Sequence, residues 1–131
     1  DPATHRVLRP RCSARVSEDR VLAAVRAGAP VVLVAGCHYA DCHYINATRQ
    51  TVQRVQKLWN KLEKAGVRPE RLQLEWISAA EGQKFAKVMK QMEELRQTVT
   101  PEEIEKAKEA LKPKPKKKPK PKAEPAAAAA P

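Results

Sequence analysis

The most restrictive feature of the sequence is a short, continuous apolar run at residues 31–34, between two segments with helical patterning. An unbroken run of β-branched and aliphatic residues is typical of a strand buried on both faces of a parallel sheet. Gly28 and Pro30 stop the preceding helical pattern, and the run ends at Gly36 and Cys37. It therefore predicts an α/β domain with a parallel sheet.

Two helices are predicted on either side of this strand. Ser17 is a suitable N-cap for the first, which should end near Ala27, and acidic residues follow it in the first turn. Asn46 is a plausible N-cap for the second, whose apolar face leads to a stop at Gly66. A strand is thus flanked by helices, as right-handed crossovers in a parallel sheet require.

The rest of the domain follows from shorter signals. Residues 7–8 are a β-compatible pair, and residues 72–77 alternate like a strand. Capping boxes at residues 78–81 and 100–103 predict two further helix starts. The predicted order is strand, helix, strand, helix, strand, helix, helix, which is an α/β arrangement.

The chain of 131 residues provides one domain, predicted at residues 1–111, and a Lys/Pro/Ala-rich tail at residues 112–131 that is predicted to be disordered. The tail holds seven Lys and one Glu, so it carries +6 of the net charge of +11 and leaves +5 on the domain. No aromatic residue lies within the Lys run, so nucleic acid is not the favoured partner. A solubilising extension is the expected role of the tail.

An odd count of three cysteines argues against the disulfide framework of a secreted domain. The longest apolar stretch, residues 29–35, is far too short to span a bilayer, and no signal peptide is visible. These features predict a protein of the reducing cytoplasm without a membrane span.

The three cysteines are expected at one edge of the sheet. Cys12 follows the first predicted strand, Cys37 follows the second, and Cys42 lies in the loop that leaves the same edge. Ligands bind at the carboxyl edge of parallel sheets. Three thiols there are suited to a metal or an iron–sulfur cluster, to a redox disulfide, or simply to the filling of small buried spaces.

The loop from Cys37 onward is rich in ligand-capable side chains, among them His38 and His43. A binuclear iron–sulfur cluster normally requires four thiolates, and this chain has three. The histidines either replace a missing ligand, complete a Cys3His zinc site, or only hydrogen-bond the loop backbone. No catalytic triad, acid–base carboxylate pair or phosphate loop stands out, so an enzyme complete in itself is not expected.

Four motifs follow one another between Cys12 and Met89: Cys12-Ser13-Ala14-Arg15-Val16, Gly36-Cys37-His38-x-x-Asp41-Cys42-His43-Tyr44, Pro69-Glu70-Arg71-Leu72, and Glu75-Trp76-Ile77-Ser78-Ala79-x-Glu81-Gly82-x-Lys84-Phe85-Ala86. Together they resemble the methyl-viologen-reducing hydrogenase delta subunit family, whose members are small iron–sulfur subunits. The resemblance implies a small Rossmann-like, three-layer domain that carries one [2Fe-2S] cluster.

The same resemblance implies a function. Such a protein relays electrons between a hydrogenase or formate dehydrogenase and a flavoprotein that is similar to the A subunit of heterodisulfide reductase, in an anaerobic cytoplasmic oxidoreductase complex. Flavin-based electron bifurcation takes place in that larger partner. The small protein is therefore expected to be a non-catalytic member of a hetero-oligomer.

Carried over by position, Cys12, Cys37 and Cys42 are the predicted cluster ligands. Five flanking residues are predicted to shape and hydrogen-bond the surroundings of the sulfurs: Arg15, His38, Asp41, His43 and Tyr44. Family members carry a further strand and cysteine-rich turn upstream, so the ligand set is expected to be completed by a segment absent from this sequence or separately encoded. The alternatives are a structural or assembly subunit without a cluster, and a zinc-binding module.

Overall fold

The computed structural model describes residues 5–113 of the chain. Three 3₁₀ turns, four α-helices and two β-strands occur in this part. In chain order they are a turn at Ser13–Arg15, α1 at Glu18–Arg26, β1 at Val32–Gly36, a turn at Tyr39–Asp41, α2 at Ala47–Lys64, a turn at Pro69–Arg71, β2 at Leu72–Trp76, α3 at Gly82–Thr98 and α4 at Pro101–Ala110.

Local sequence signals set several of these boundaries. The Ser17 hydroxyl accepts a hydrogen bond from the Arg20 amide and starts α1, as predicted. Thr100 and Glu103 form the reciprocal capping box that starts α4, also as predicted. Gly28 and Gly66, with φ of 100° and 76°, follow α1 and α2 in the backbone conformation that glycine adopts most easily.

The two strands form a parallel sheet, which confirms the predicted fold class. Val32 pairs with Leu72 and Val34 with Leu74, so one face of the sheet is aliphatic. This face packs against buried side chains of α1, α2 and α4, and the Trp59 indole of α2 donates a 2.8 Å hydrogen bond to the Leu72 carbonyl. The main core therefore lies between the sheet and these three helices.

Helix α3 lies against the opposite face. Gln73 and Glu75 point away from the main core because side chains alternate along a strand. They line one groove with four residues of α3, namely Val88, Gln91, Met92 and Leu95. Helices thus lie on both faces of the sheet, in the layered order expected from the sequence, but α3 covers its face only in part because Ala35 of β1 is exposed there. No helix in the described range is long and apolar enough to cross a membrane.

The prediction of a first strand at residues 7–8 is wrong for the described structure. These residues are in coil, with Val7 and Leu8 exposed by 74% and 84%. A strand is stable only when its backbone groups pair with a neighbour, and an aliphatic pair between arginines does not provide that partner by itself. Within residues 5–113 the sheet accordingly has two strands.

The start of α3 also differs from the prediction. The Glu81 carboxylate accepts a 3.0 Å hydrogen bond from the Ser78 amide, as in half of a capping box. The helix nevertheless begins at Gly82, because the same carboxylate oxygen also pairs with His38 and residues 79–80 form a turn. The predicted disordered tail lies outside the described residues from position 114 onward.

Candidate functional site

The turn that follows Cys12 packs against the end of β1. A Cβ atom placed on Gly36 would lie 2.9 Å from Ser13 Oγ and 2.9 Å from Trp76 Cζ3, closer than real Cβ contacts. Only glycine therefore allows this approach. Cys12 precedes Ser13 and Cys37 follows Gly36, so two cysteine-bearing segments meet at the carboxyl edge of the sheet. The sequence analysis expected this from two neighbouring strands, but within residues 5–113 the strand before Cys12 does not form, and the Ser13–Arg15 turn brings Cys12 to this edge instead.

Cys42 lies before the first turn of α2. The Thr48 backbone amide lowers the pKa of the Cys42 thiol; partial burial opposes this, and the Tyr44 and Ala47 amides act in the same direction as Thr48. The Thr48 hydroxyl also lowers this pKa, although it does not reach hydrogen-bond geometry with the sulfur. Within the described range this buried hydroxyl has no other hydrogen-bond partner. A helix amino terminus favours a thiolate, so Cys42 is in an environment suited to ligand sulfur.

His38 connects the cysteine loop to α3. Its Nε2 atom pairs with Glu81 Oε1, and the Ser78 amide donates to the same carboxylate. The Ser78 amide and the His38 ring together lower the pKa of Glu81 to about 2. His38 was predicted to hydrogen-bond around the sulfurs, and in the structure its partner is instead a carboxylate 43 residues away.

The other four flanking residues lie at the surface of the same edge. Arg15, Asp41, His43 and Tyr44 are all exposed. The His43 and Tyr44 rings meet edge to face, with centroids 5.0 Å apart. The Tyr44 backbone amide contributes to the lowered pKa of the Cys42 thiol. The assignment of these residues to the surroundings of a cluster stays a prediction.

The sequence did not reveal a row of polar side chains on α2 that contacts the turn after Cys12. Thr51 hydrogen-bonds Ser13 at 3.1 Å, and Arg54 donates to the carbonyls of Ala14 and Val16. Thr48, Thr51 and Arg54 are spaced by three residues along α2, so their side chains share one side of the helix. In the sequence, the three-residue spacing of these polar side chains, which ends next to the buried Val55, was the signal that could have revealed the row.

The three thiols are free, and their chemistry fits three of the four thiolate ligands of a binuclear cluster. Cys12 and Cys42 are half-buried, and Cys37 is exposed. Within residues 5–113, however, no three His, Cys, Asp or Glu side chains are grouped closely enough to hold a metal ion. The ligand set therefore remains a prediction, and the sequence contains three thiols for a site that normally takes four.

Fold and site define a class of protein: a small α/β domain whose free cysteines lie on segments at the carboxyl edge of a parallel sheet. A family model described as the methyl-viologen-reducing hydrogenase, delta subunit, matches residues 2–98. The chain belongs to this family, which confirms the resemblance found in its motifs.

Two relatives contain a region similar to this chain, one in a hydrogenase subunit and the other in a heterodisulfide reductase subunit. The iron-sulfur D subunit of the F420-non-reducing hydrogenase from Archaeoglobus profundus is 44% identical over 88 residues, which are 67% of this chain and 64% of the relative. The A subunit of the ferredoxin/F(420)H(2)-dependent CoB-CoM heterodisulfide reductase from Methanosarcina acetivorans is 42% identical over 98 residues, 72% of this chain and 12% of the relative. The chain thus spans less than two thirds of the length of either protein.

Proposed function

We propose that this chain is an electron-transfer subunit of an oxidoreductase complex and that it carries a [2Fe-2S] cluster. The observation that carries the proposal is the meeting of cysteine-bearing segments at one sheet edge in a member of this family. A similar protein is named an iron–sulfur subunit of a hydrogenase. The proposed domain is residues 1–111, with residues 112–131 as a tail, and the proposed location is the cytoplasm.

The proposed ligands are Cys12, Cys37 and Cys42, with a fourth ligand from outside the described residues. Such a cluster, when bound, accepts and releases single electrons. The chain itself supplies the thiolates, keeps one of them at the amino terminus of α2, and links the loop to α3 through His38. Its proposed role in the complex is therefore to relay electrons rather than to transform a substrate.

The proposed partners are a hydrogenase or formate dehydrogenase on one side and, on the other, a flavoprotein similar to the A subunit of heterodisulfide reductase. In Methanosarcina acetivorans a region similar to this chain is part of such a heterodisulfide reductase protein itself. A sequence that occurs both as a separate hydrogenase component and within that larger protein supports a position between the two. Flavin-based electron bifurcation would take place in the flavoprotein.

The test is anaerobic purification of the chain with its copurifying partners, followed by iron and sulfide analysis, visible absorption and low-temperature EPR after reduction. About two irons and two sulfides per chain are expected. Cys37→Ala should abolish the EPR signal, because it removes one thiolate from an exposed loop position. Ala40→Ser, an exposed position in the same loop, is the matched control and should leave the signal unchanged.

Two other results would replace the proposal. An iron-free, colourless chain that still binds a large flavoprotein would indicate a structural subunit, the alternative favoured by the lack of a grouped metal site in residues 5–113. A colourless chain with one equivalent of zinc would indicate a zinc-binding module, since Cys and His ligands also suit zinc.

A further inference from the structure

Helix α2 contacts the turn after Cys12 through one side. The buried Thr51 hydroxyl forms a 3.1 Å hydrogen bond with that of Ser13, the residue after Cys12. The helix itself begins at Ala47, five residues after Cys42. It is therefore adjacent to two cysteine segments that are 30 residues apart in the sequence.

Arg54 continues this side of α2 and binds main chain instead of a carboxylate. Its Nη1 atom lies 2.6 Å from the Ala14 carbonyl and 2.9 Å from the Val16 carbonyl. No ion pair of Arg54 is formed within residues 5–113. Both bonds come from the two hydrogens of Nη1, which are fixed in the plane of the guanidinium group. A lysine ammonium also has several donors, but it rotates about its carbon–nitrogen bond and therefore holds two carbonyls in a less fixed relation.

The two carbonyls belong to the turn that determines where Cys12 lies. Cys12 is the residue at the start of the Ser13–Arg15 turn, and its own carbonyl accepts a 2.9 Å hydrogen bond from the Arg15 amide. Three residues of 3₁₀ turn have little stability of their own. The position of the Cys12 sulfur therefore depends on what holds the turn, namely Arg54 from α2 and the Ser13 contacts.

We propose that Arg54 is a positioning residue, whose contacts with the Ala14 and Val16 carbonyls hold the Cys12 turn in place beside the end of β1. The identity of the group that Cys12 binds rests on the function proposed above. The placement of Cys12 itself does not, and this separates the two tests.

The first test uses the metal-free chain of 131 residues and measures alkylation of each cysteine by iodoacetamide with mass spectrometry. Arg54→Gln should raise the alkylation rate of Cys12 roughly threefold or more, as expected from the loss of two charge-assisted hydrogen bonds. The Cys42 rate should stay the same, because both hydrogen bonds of Arg54 go to the turn after Cys12 and neither goes to the loop that contains Cys42. Lys57→Gln, an exposed change three residues further along the helix, is the matched control.

The second test uses the anaerobically purified complex and follows loss of iron to a chelator, together with the EPR g-values. Arg54→Gln should accelerate iron loss roughly tenfold and shift the g-values, because a displaced Cys12 changes ligand geometry. Arg54→Lys keeps the charge but loses the planar guanidinium group. Its rate of iron loss and its g-values should therefore lie between those of Arg54→Gln and those of the unchanged protein.

The outcomes distinguish the inference from the proposed function. Equal gains in reactivity at Cys12 and Cys42 would show that Arg54 only stabilises the fold, and unchanged Cys12 reactivity would also overturn the inference. If the unaltered complex contains no iron, the relay proposal fails while the alkylation result still decides the role of Arg54. If the cluster is present and Arg54→Gln leaves both iron loss and g-values unchanged, the relay stands and the inference fails.

Discussion

The two ends of the sheet are built in opposite ways. At the amino ends of the strands, the Arg71 side chain is only 2% exposed and donates hydrogen bonds to the carbonyls of Pro30 and Ala29 at 2.6 and 3.1 Å. At the carboxyl ends, Cys37 is exposed, and Ile45, 84% exposed, has a φ of 46°. The amino end is thus built for stability, whereas the carboxyl end keeps reactive and strained groups at the surface.

This difference is the one expected if the carboxyl edge has a function. Strained backbone and exposed thiols are costly features that persist where the surrounding structure holds them. A buried arginine, by contrast, is retained only when its hydrogen bonds are made, and burial lowers the pKa of Arg71 without removing its charge. Substitutions at the two ends should therefore have opposite effects on stability.

The largest expected effect is at the amino end. Arg71→Ala should lower the free energy of unfolding by about 2–4 kcal/mol, because it leaves two carbonyls without their donor and creates a cavity. Urea denaturation followed by circular dichroism measures the change. Arg68→Ala is the matched control: its partly exposed ion pair with Glu103 is worth at most about 1 kcal/mol. Equal losses in both variants would contradict the assignment of Arg71 as the main anchor.

A smaller effect of opposite sign is expected at the carboxyl end. Ile45→Asn should raise the free energy of unfolding by about 0.5–1 kcal/mol, because asparagine tolerates the left-handed backbone region better than a β-branched residue. Little burial is lost, since Ile45 is 84% exposed. Tyr44→Asn, an exposed neighbour, should give no such gain. Destabilisation by Ile45→Asn would show that the side chain makes contacts that outweigh the backbone strain.

The smallest effect concerns pH and the contact between the cysteine loop and α3. The pKa of Glu81 falls from 4.5 to about 2 in the folded chain, so its ionised form stabilises the fold above pH 4.5, and this contribution is lost as the pH falls towards 2. The difference in denaturation midpoint between the unaltered chain and Glu81→Gln should be present at pH 6 and shrink below pH 4.5.

The control for this measurement is Glu94→Gln, on the exposed side of the same helix and without an ion pair in the described range. The difference in denaturation midpoint between Glu94→Gln and the unaltered chain should not shrink below pH 4.5. A Glu81→Gln difference that stays constant between pH 6 and pH 2 would show that the carboxylate makes no special contact in solution.

Much of the fold could be predicted from local patterns. Ser17, Thr100 and the glycines after α1 and α2 act through hydrogen bonds and backbone angles within a few residues, so their effect is visible in the sequence. The apolar run of β1 likewise predicted a parallel strand, but the burial on both faces that it also predicted does not occur, because Val34 is buried and Ala35 is exposed. The apolar pair at residues 7–8 was a weaker signal of the same kind. The strand that it predicted does not form in the described structure, because a strand depends on a pairing partner that local sequence does not specify.

The candidate site was predictable in its residues and only partly in its geometry. The sequence predicted Cys12 and Cys37 at one edge, although from a strand before Cys12 that does not form within residues 5–113, and the family match agrees with the motifs around them. It did not indicate that Thr51 and Arg54 hold the Cys12 turn, because those contacts join residues 38 to 40 positions apart. Nor did it show that His38 would pair with Glu81 rather than stay beside the sulfurs.

The sequence by itself determined the four helices and the two strands that form, which family the chain resembles, and which three thiols are available, although it also predicted a strand at residues 7–8 that the described structure does not contain. Only the tertiary structure decided that the polar side of α2 contacts the turn after Cys12 and that Gly36 lets this turn approach β1. The physical reason is range: caps, turns and periodicity act over three or four residues, whereas the position of a side chain from a distant segment depends on the packing of the whole core.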